Sequence, residues 1–257
     1  LSKLGYVIKP ENLFRNLIRK ITKFENDADK FNVEDFEKAI NDLVGSTMGH
    51  ESNKAFDGLF NDMRLQDSRL GETVADRTEM IGRVMVRVSD IDFDLQDSQF
   101  DVLGTAYMIL IGLFASDAGK KGGEFFTPSC VVRTLVEILQ PFKGRVYDPC
   151  CGSGGMFVQT GDFVNHAGMI ANNTMTFYGQ EKVEYNAKLC LMNMAVHGLT
   201  GVIKSGDEAN TFYHDAHNLN GCCDYVMANP PFNVDKVKSE SAQSAGRLPF
   251  GLPGVNK

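Results

Sequence analysis

Apolar positions along the chain follow two different rhythms. From residue 1 to about 120 they recur at helical spacing. Leu13, Leu17, Ile18, Ile21 and Phe24 form one stripe after Pro10, and Phe36, Ile40, Leu43 and Val44 form a second between an Asn32 cap and Gly45. Met80, Ile81, Val84, Met85 and Val88 form a third. Val102, Leu103, Ala106, Tyr107, Leu110, Ile111 and Phe114 form a fourth, longer one. Stripes of this kind are core-forming helix faces, so residues 1–120 are expected to be an N-terminal helical domain.

Downstream, helices alternate with short β-rich runs. Arg145–Asp148, Thr176–Gly179, Val202–Ser205 and Asp224–Ala228 are expected strands. The intervals between them suit helical crossovers joining parallel strands. Residues 121–257 are therefore expected to be an α/β domain with a doubly wound sheet, in which ligands bind beyond the strand C-termini.

Composition narrows the class. The chain has 257 residues, 43% of them hydrophobic, enough to build a core and to exclude disorder. The most apolar run, Thr105–Ala115, is about half the length needed to cross a bilayer. No basic and apolar leader opens the chain, so no membrane is expected and the location is expected to be cytoplasmic. The net charge is −7, and residues 1–120 carry 15 basic and 21 acidic residues of it. Such a balance disfavours a self-sufficient nucleic-acid binder. The six cysteines contain no CxxC and the five histidines no HExxH, so neither a disulfide framework nor a metal is expected.

The first expected strand runs into Asp148-Pro149-Cys150-Cys151-Gly152-Ser153-Gly154-Gly155, and a helix follows from Met156. Glycines there let backbone amides approach a ligand. The third glycine of the dinucleotide pattern would fall at Phe157, and no Walker lysine follows, so neither phosphate fingerprint is met. Asp148 closes the first strand, Glu181 the second in Gly179-Gln180-Glu181, and Asp207 follows the third. A carboxylate at the Glu181 position can accept both hydroxyls of a ribose. Asp207 is placed to accept from an adenine amino group. Each acid alone is as well explained by a cap or a solvated turn. Together they favour a nucleoside without phosphate, and S-adenosylmethionine fits better than NAD, whose pyrophosphate they would repel.

Ahead of the sheet, Glu124-Phe125-Phe126-Thr127-Pro128-Ser129 leads into a helical stripe at Val131, Val132, Leu135 and Ile138. Thr127 is expected as N-cap and Pro128 as the first helical residue. The helix N-terminus would receive the carboxylate of the methionine moiety, and the two phenylalanines would wall the pocket. The fourth strand runs into Asn229-Pro230-Pro231-Phe232. The prolines end the strand and fix the backbone, so the Asn229 side-chain amide and the Pro230 carbonyl can face one hydrogen-bond donor. Two such acceptors on an exocyclic amine would localise its lone pair for methyl transfer. Phe232 would stack on the base, which a duplex must flip out.

GEFFTP, DPCCGSGG, GQE, GD and NPPF, in this order, resemble the motifs of amino-group DNA methyltransferases. The helical half, with GHESNKAFDGLF and AGKKGGEFFTP, and the tail AGRLPFGLPGVNK resemble the modification subunit of Type I restriction–modification systems. The resemblance implies N6-adenine methylation of DNA from S-adenosylmethionine by a Rossmann-like domain. It implies cofactor contacts from Glu124 to Ser129, from Ser153 to Gly155 and from Glu181, and Gly152 of the same glycine loop joins the expected cofactor set with Asp148 and Asp207. It assigns Asn229, Pro230, Pro231 and Phe232 to the target adenine. The partners implied are DNA, a specificity subunit, a restriction subunit and a second copy of the same subunit. Position 129 is Ser where the family often has Arg or Gln. Only 25 residues follow Phe232, too few for the strands such a sheet normally adds, so the catalytic domain is expected to be incomplete at its C-terminal end. Alternatives left open are amino-group methylation of RNA guanine N2 or of a protein glutamine, and a catalytically silent scaffold. C5-cytosine chemistry at Pro149-Cys150 is disfavoured by that cysteine's place in the glycine loop.

Overall fold

The computed structural model of the protein describes residues 6–24, 26–50, 53–56, 58–61, 63–91, 102–117, 126–231, 234 and 237–252. The chain divides into two compact units, Leu1–Asp94 and Leu95–Lys257.

The first unit contains α1 (Phe14–Thr22), α2 (Val33–Ser46), α3 (Asn53–Phe56) and α4 (Val74–Ser89). Asn32 caps α2 as its sequence position predicts. Its side chain accepts from the Glu34 amide at 3.2 Å while the Asp35 carboxylate accepts from the Asn32 amide at 3.1 Å, closing a capping box. Thr73 and Asp76 repeat the device on α4. Leu17, Phe31 and Met85 form the core, with Ile18, Ile21, Phe36 and Ile81 packed against it. Met80, Val84 and Val88, expected on the same stripe as Met85, are exposed. At 100° per residue the five positions of that stripe spread over too wide an arc for one small core.

The second unit contains α5 (Val102–Asp117), α6 (Ser129–Leu139), β1 (Gly144–Asp148), α7 (Gly155–His166), α8 (Ala171–Thr174), β2 (Met175–Glu181), α9 (Glu184–Val196), β3 (Gly201–Ser205), β4 (Tyr225–Val226) and α10 (Ser239–Ser244). All strand pairs are parallel and their order is β3-β2-β1-β4. The doubly wound α/β expectation therefore holds. The order reverses between β1 and β4, which opens a crevice at their C-terminal ends. Helix α5 shares the periodicity of the helical half yet belongs to this unit, where the Tyr107 hydroxyl donates to the Leu189 carbonyl of α9 at 3.0 Å. Strand β4 is shorter than the expected Asp224–Ala228. The Asp224 amide still donates to the Arg145 carbonyl at 3.0 Å, but the Arg145 amide donates to the Asp224 carboxylate at 2.7 Å and not to a backbone carbonyl, and the two prolines have no amide to extend the ladder.

Val146, Phe157, Val158 and Phe177 are fully buried beneath the strand ends. Phe157 and Phe177 meet with ring centroids 5.6 Å apart. The turn from β1 to α7 thus rests on a packed floor. Among the described residues no helix is long and apolar enough to cross a membrane.

Candidate cofactor and target site

Strand β1 delivers Asp148 to the crevice at 2% exposure, with its Oδ1 accepting from the Cys150 amide at 3.0 Å. Burial pushes its carboxyl up to about 7, and the neighbouring Glu181 charge adds to the shift. The glycine loop then folds back on β2. The Cys151 amide donates to the Gln180 carbonyl at 3.0 Å, and the Gly152 amide to Glu181 Oε2 at 3.0 Å. From α9, Asn193 Nδ2 donates to the Ser153 carbonyl at 2.9 Å. Gly154, at the α7 N-cap, has φ +79°, and a Cβ there would lie 2.7 Å from Cys190 Sγ. A Cβ on Gly155 would meet nothing within 4 Å. The loop is closed beneath and open above.

Glu181 also accepts from the Val183 amide at 2.8 Å. Its carboxylate therefore clamps the loop to the end of β2, and burial raises its pKa. It still lines a cleft of about 710 Å3 together with Asp207, Asn210, Phe212, Tyr213 and Pro231. This volume lies in the usual range for small-molecule sites. Asp207 is exposed at its edge. A second, small cavity of about 20 Å3 is bounded by Phe126, Thr127, Asp148, Gly152, Ser153, Gly155 and Asn229. Cys150 lines both.

Thr127 does not cap α6. Pro128 occupies the N-cap with ψ 134°, and no side chain caps the helix. The proline ring fixes φ, and the extended ψ delays the first helical residue to Ser129. The Thr127 hydroxyl instead accepts from Asn229 Nδ2 at 3.1 Å, across 102 residues of sequence. Pro128 and Ser129 are exposed and bound neither cavity, and Gly154 faces Cys190. Pro230 is exposed beside Asn229. Glu124, Phe125 and Phe232 lie outside the described residues.

The sequence reading passed over Gln180, the centre of this site's support. It is fully buried. Its Oε1 accepts from the Tyr147 hydroxyl at 2.9 Å and the Ala216 amide at 3.0 Å. Its Nε2 donates to the Ala209 carbonyl, Thr211 Oγ1 and the His214 carbonyl at 3.1–3.2 Å. One side chain thus holds the 209–216 segment that walls the cleft. The available signal was an uncharged amide between Gly179 and Glu181 at the end of an apolar strand, where a buried polar group demands partners.

A parallel sheet reversing beside a glycine loop, with acids at its strand ends, is the architecture of a Rossmann-like methyltransferase. The chain belongs to the N-6 DNA Methylase family, whose sequence profile matches residues 98–255. It is 31% identical over 99% of its length to the Type I restriction enzyme MpnII methylase subunit of Mycoplasma pneumoniae, covering 48% of that protein. Over 60% of its length it is 40% identical to the Type I restriction enzyme HindI methylase subunit of Haemophilus influenzae, covering 34% of it. The crystal structure of the type I restriction–modification system methyltransferase subunit from Streptococcus thermophilus matches 89% of this chain and 46% of that one, with TM-score 0.71 and 27% identity. The chain thus spans at most about half the length of these relatives.

Proposed function

We propose that this chain forms part of an adenine-specific DNA methyltransferase subunit of a Type I restriction–modification system. In this reading it transfers a methyl group from S-adenosylmethionine to N6 of adenine. The observation that carries the proposal is the position of the Asn229-Pro230-Pro231 turn. Asn229 closes the small cavity over the glycine loop while Pro231 lines the large cleft with Glu181 and Asp207. Cofactor and target amine would meet at that turn.

The residues present fit such a cofactor. Gly155 faces open space, so backbone can approach a ligand there. The acids Asp148, Glu181 and Asp207 suit a ligand bearing a sulfonium and an ammonium, and would repel a pyrophosphate. Glu181 has lone pairs left for ribose hydroxyls after accepting two amides. Asp207 at the rim would accept from the adenine amine, and Phe126, Gly152, Ser153 and the backbone of Thr127 would bound the methionine end. Glu124, Phe125, Pro128, Ser129 and Gly154 complete the proposed cofactor set on the resemblance of their motifs. When bound, S-adenosylmethionine supplies an electrophilic methyl group.

The side-chain carbonyl of Asn229 and the backbone carbonyl of Pro230 would accept the two hydrogens of the target amine, and Phe232 would stack on its base. The amine nitrogen would take that methyl group in place of one of its protons, which would leave to solvent, while the C–S bonding pair would remain with the cofactor's sulfur. Cys150 takes no part as a nucleophile. Burial, with the charges of Asp148 and Glu181, pushes its thiol up to about 12, whereas a nucleophilic cysteine needs a depressed pKa. Since DNA binding needs positive charge that an acidic chain lacks, a specificity subunit would supply the grip. A second copy of this subunit and a restriction subunit would complete the assembly in the cytoplasm.

The test is transfer of tritiated methyl by the full complex to duplex DNA, RNA and protein. Label on adenine N6 is expected. Label on RNA guanine N2 or on glutamine, or no label on any substrate, overturns the assignment.

A further inference from the structure

In the NPPF turn the backbone is held by two prolines, but the Asn229 carboxamide can still rotate about its last torsion. That torsion is broad and nearly two-fold. The two ends of the amide are opposite in character, one an acceptor and the other a double donor. An incoming amine brings hydrogens, so only the acceptor end is productive. The donor end would set hydrogens against hydrogens. Something must choose between the two orientations.

The geometry points to Thr127 as the positioning residue that makes this choice. Its Oγ1 accepts from Asn229 Nδ2 at 3.1 Å, which turns the donor end toward Thr127 and leaves Oδ1 for the target. Thr127 is free to do so because it does not cap α6, where Pro128 holds the N-cap. Both residues border the same small cavity with Asp148 and Gly152, so the orienting bond, although exposed, stands at the mouth of that cavity beside the glycine loop. This explains why a Thr-Pro element 102 residues upstream accompanies the Asn-Pro-Pro turn. The role rests on the methyl-transfer reading above and adds to it a residue that acts through Asn229.

The experiment uses the full complex with unmodified genomic DNA from a strain lacking the enzyme. Single-turnover methylation is measured at saturating S-adenosylmethionine, and cofactor affinity by calorimetry. Thr127→Val replaces the hydroxyl with a methyl group of the same shape. It is expected to slow transfer about tenfold through lost preorganisation, with cofactor affinity within about twofold of the parent. Thr127→Ser, which restores the hydroxyl, is expected to recover most of the rate. A merely structural Thr127, or one whose hydroxyl contacts the cofactor, would behave differently. Unchanged transfer by Thr127→Val, a loss that Thr127→Ser does not recover, or an equal loss of cofactor affinity each overturns the positioning role. No N6 label from the parent complex overturns the methyl-transfer reading itself, and the role with it.

Discussion

Replacing Gln180 with Met keeps the volume and removes every polar atom of the side chain. Tyr147 Oη loses its acceptor and the Ala209 carbonyl loses its donor, and both residues are buried in the parent. A buried polar group left unpaired costs about 1–3 kcal/mol, so these two set a loss of about 2–6 kcal/mol. The Ala216 amide and His214 carbonyl are nearer solvent and can turn to water, and Thr211 keeps its bond to the Pro149 carbonyl at 2.6 Å. For a unit of this size about 1 kcal/mol moves the melting temperature by roughly 2–4 °C. A loss near the middle of the range therefore lowers it by about 8–16 °C. Thermal unfolding of the whole chain followed by circular dichroism measures the shift, and amide exchange at Ala216 shows whether the 209–216 wall opens first. Gln180→Glu, which keeps the acceptor but sets a buried carboxylate oxygen against the Ala209 and His214 carbonyls, should cost at least as much. A Gln180→Met chain melting within about 2 °C of the parent, with Ala216 still protected, would show that this side chain does not hold the cleft wall.

Gly154→Ala forces a Cβ toward Cys190 Sγ at a φ of +79°, and should cost about 1–3 kcal/mol in urea unfolding; an unchanged midpoint would mean that the loop can shift. Asn229→Ala should abolish transfer in the full complex while calorimetry shows cofactor affinity nearly unchanged, and loss of binding instead would make Asn229 structural. Cys150→Ala should keep most of the methylation rate, because a thiol pushed up to about 12 is not the nucleophile; complete loss would reinstate covalent chemistry. Asp148 holds a proton up to about pH 7 in the fold, against an ordinary value of 3.8. Between about pH 4 and pH 7 the native chain keeps a proton that the unfolded chain has lost, so this carboxyl's contribution to stability falls as pH rises through that window. A cationic ligand prefers the ionised form, so S-adenosylmethionine binding below pH 7 should release a proton, detectable by calorimetry in buffers of different ionisation enthalpy.

What the sequence made legible was whatever a local pattern encodes. The four strands follow from β-rich runs at crossover spacing, and the Asn32 cap from a polar residue ahead of an apolar stripe. The glycine loop and its acids were legible because close backbone approach demands particular residue types at particular offsets. Long-range partnerships were not. Thr127 had the composition of a helix cap, and only the fold shows its hydroxyl committed to Asn229. Gln180 carried no motif of its own. Its five hydrogen bonds exist because the segment after β3 returns over β2, a path that no periodicity records. Helix α5 misled through its strength. Being apolar all round, it reads like its helical predecessors, yet it packs on α9.

On the proposed reading, the burial of Asp148 and Glu181 bears directly on their role. Asp148 and Glu181 are drawn into the protein by backbone amides and shifted upward by desolvation. A solvated carboxylate would attract a cation only weakly. A desolvated pair would gain more from a ligand carrying sulfonium and ammonium groups, and would discriminate against its thioether product by the loss of one of those charges. Hydrogen bonds donated by the Cys150, Gly152 and Val183 amides hold the acids in place. In that reading the glycine loop would set the affinity of the site for charge as well as its shape, held by Asn193 of α9 and by the Gln180 backbone carbonyl.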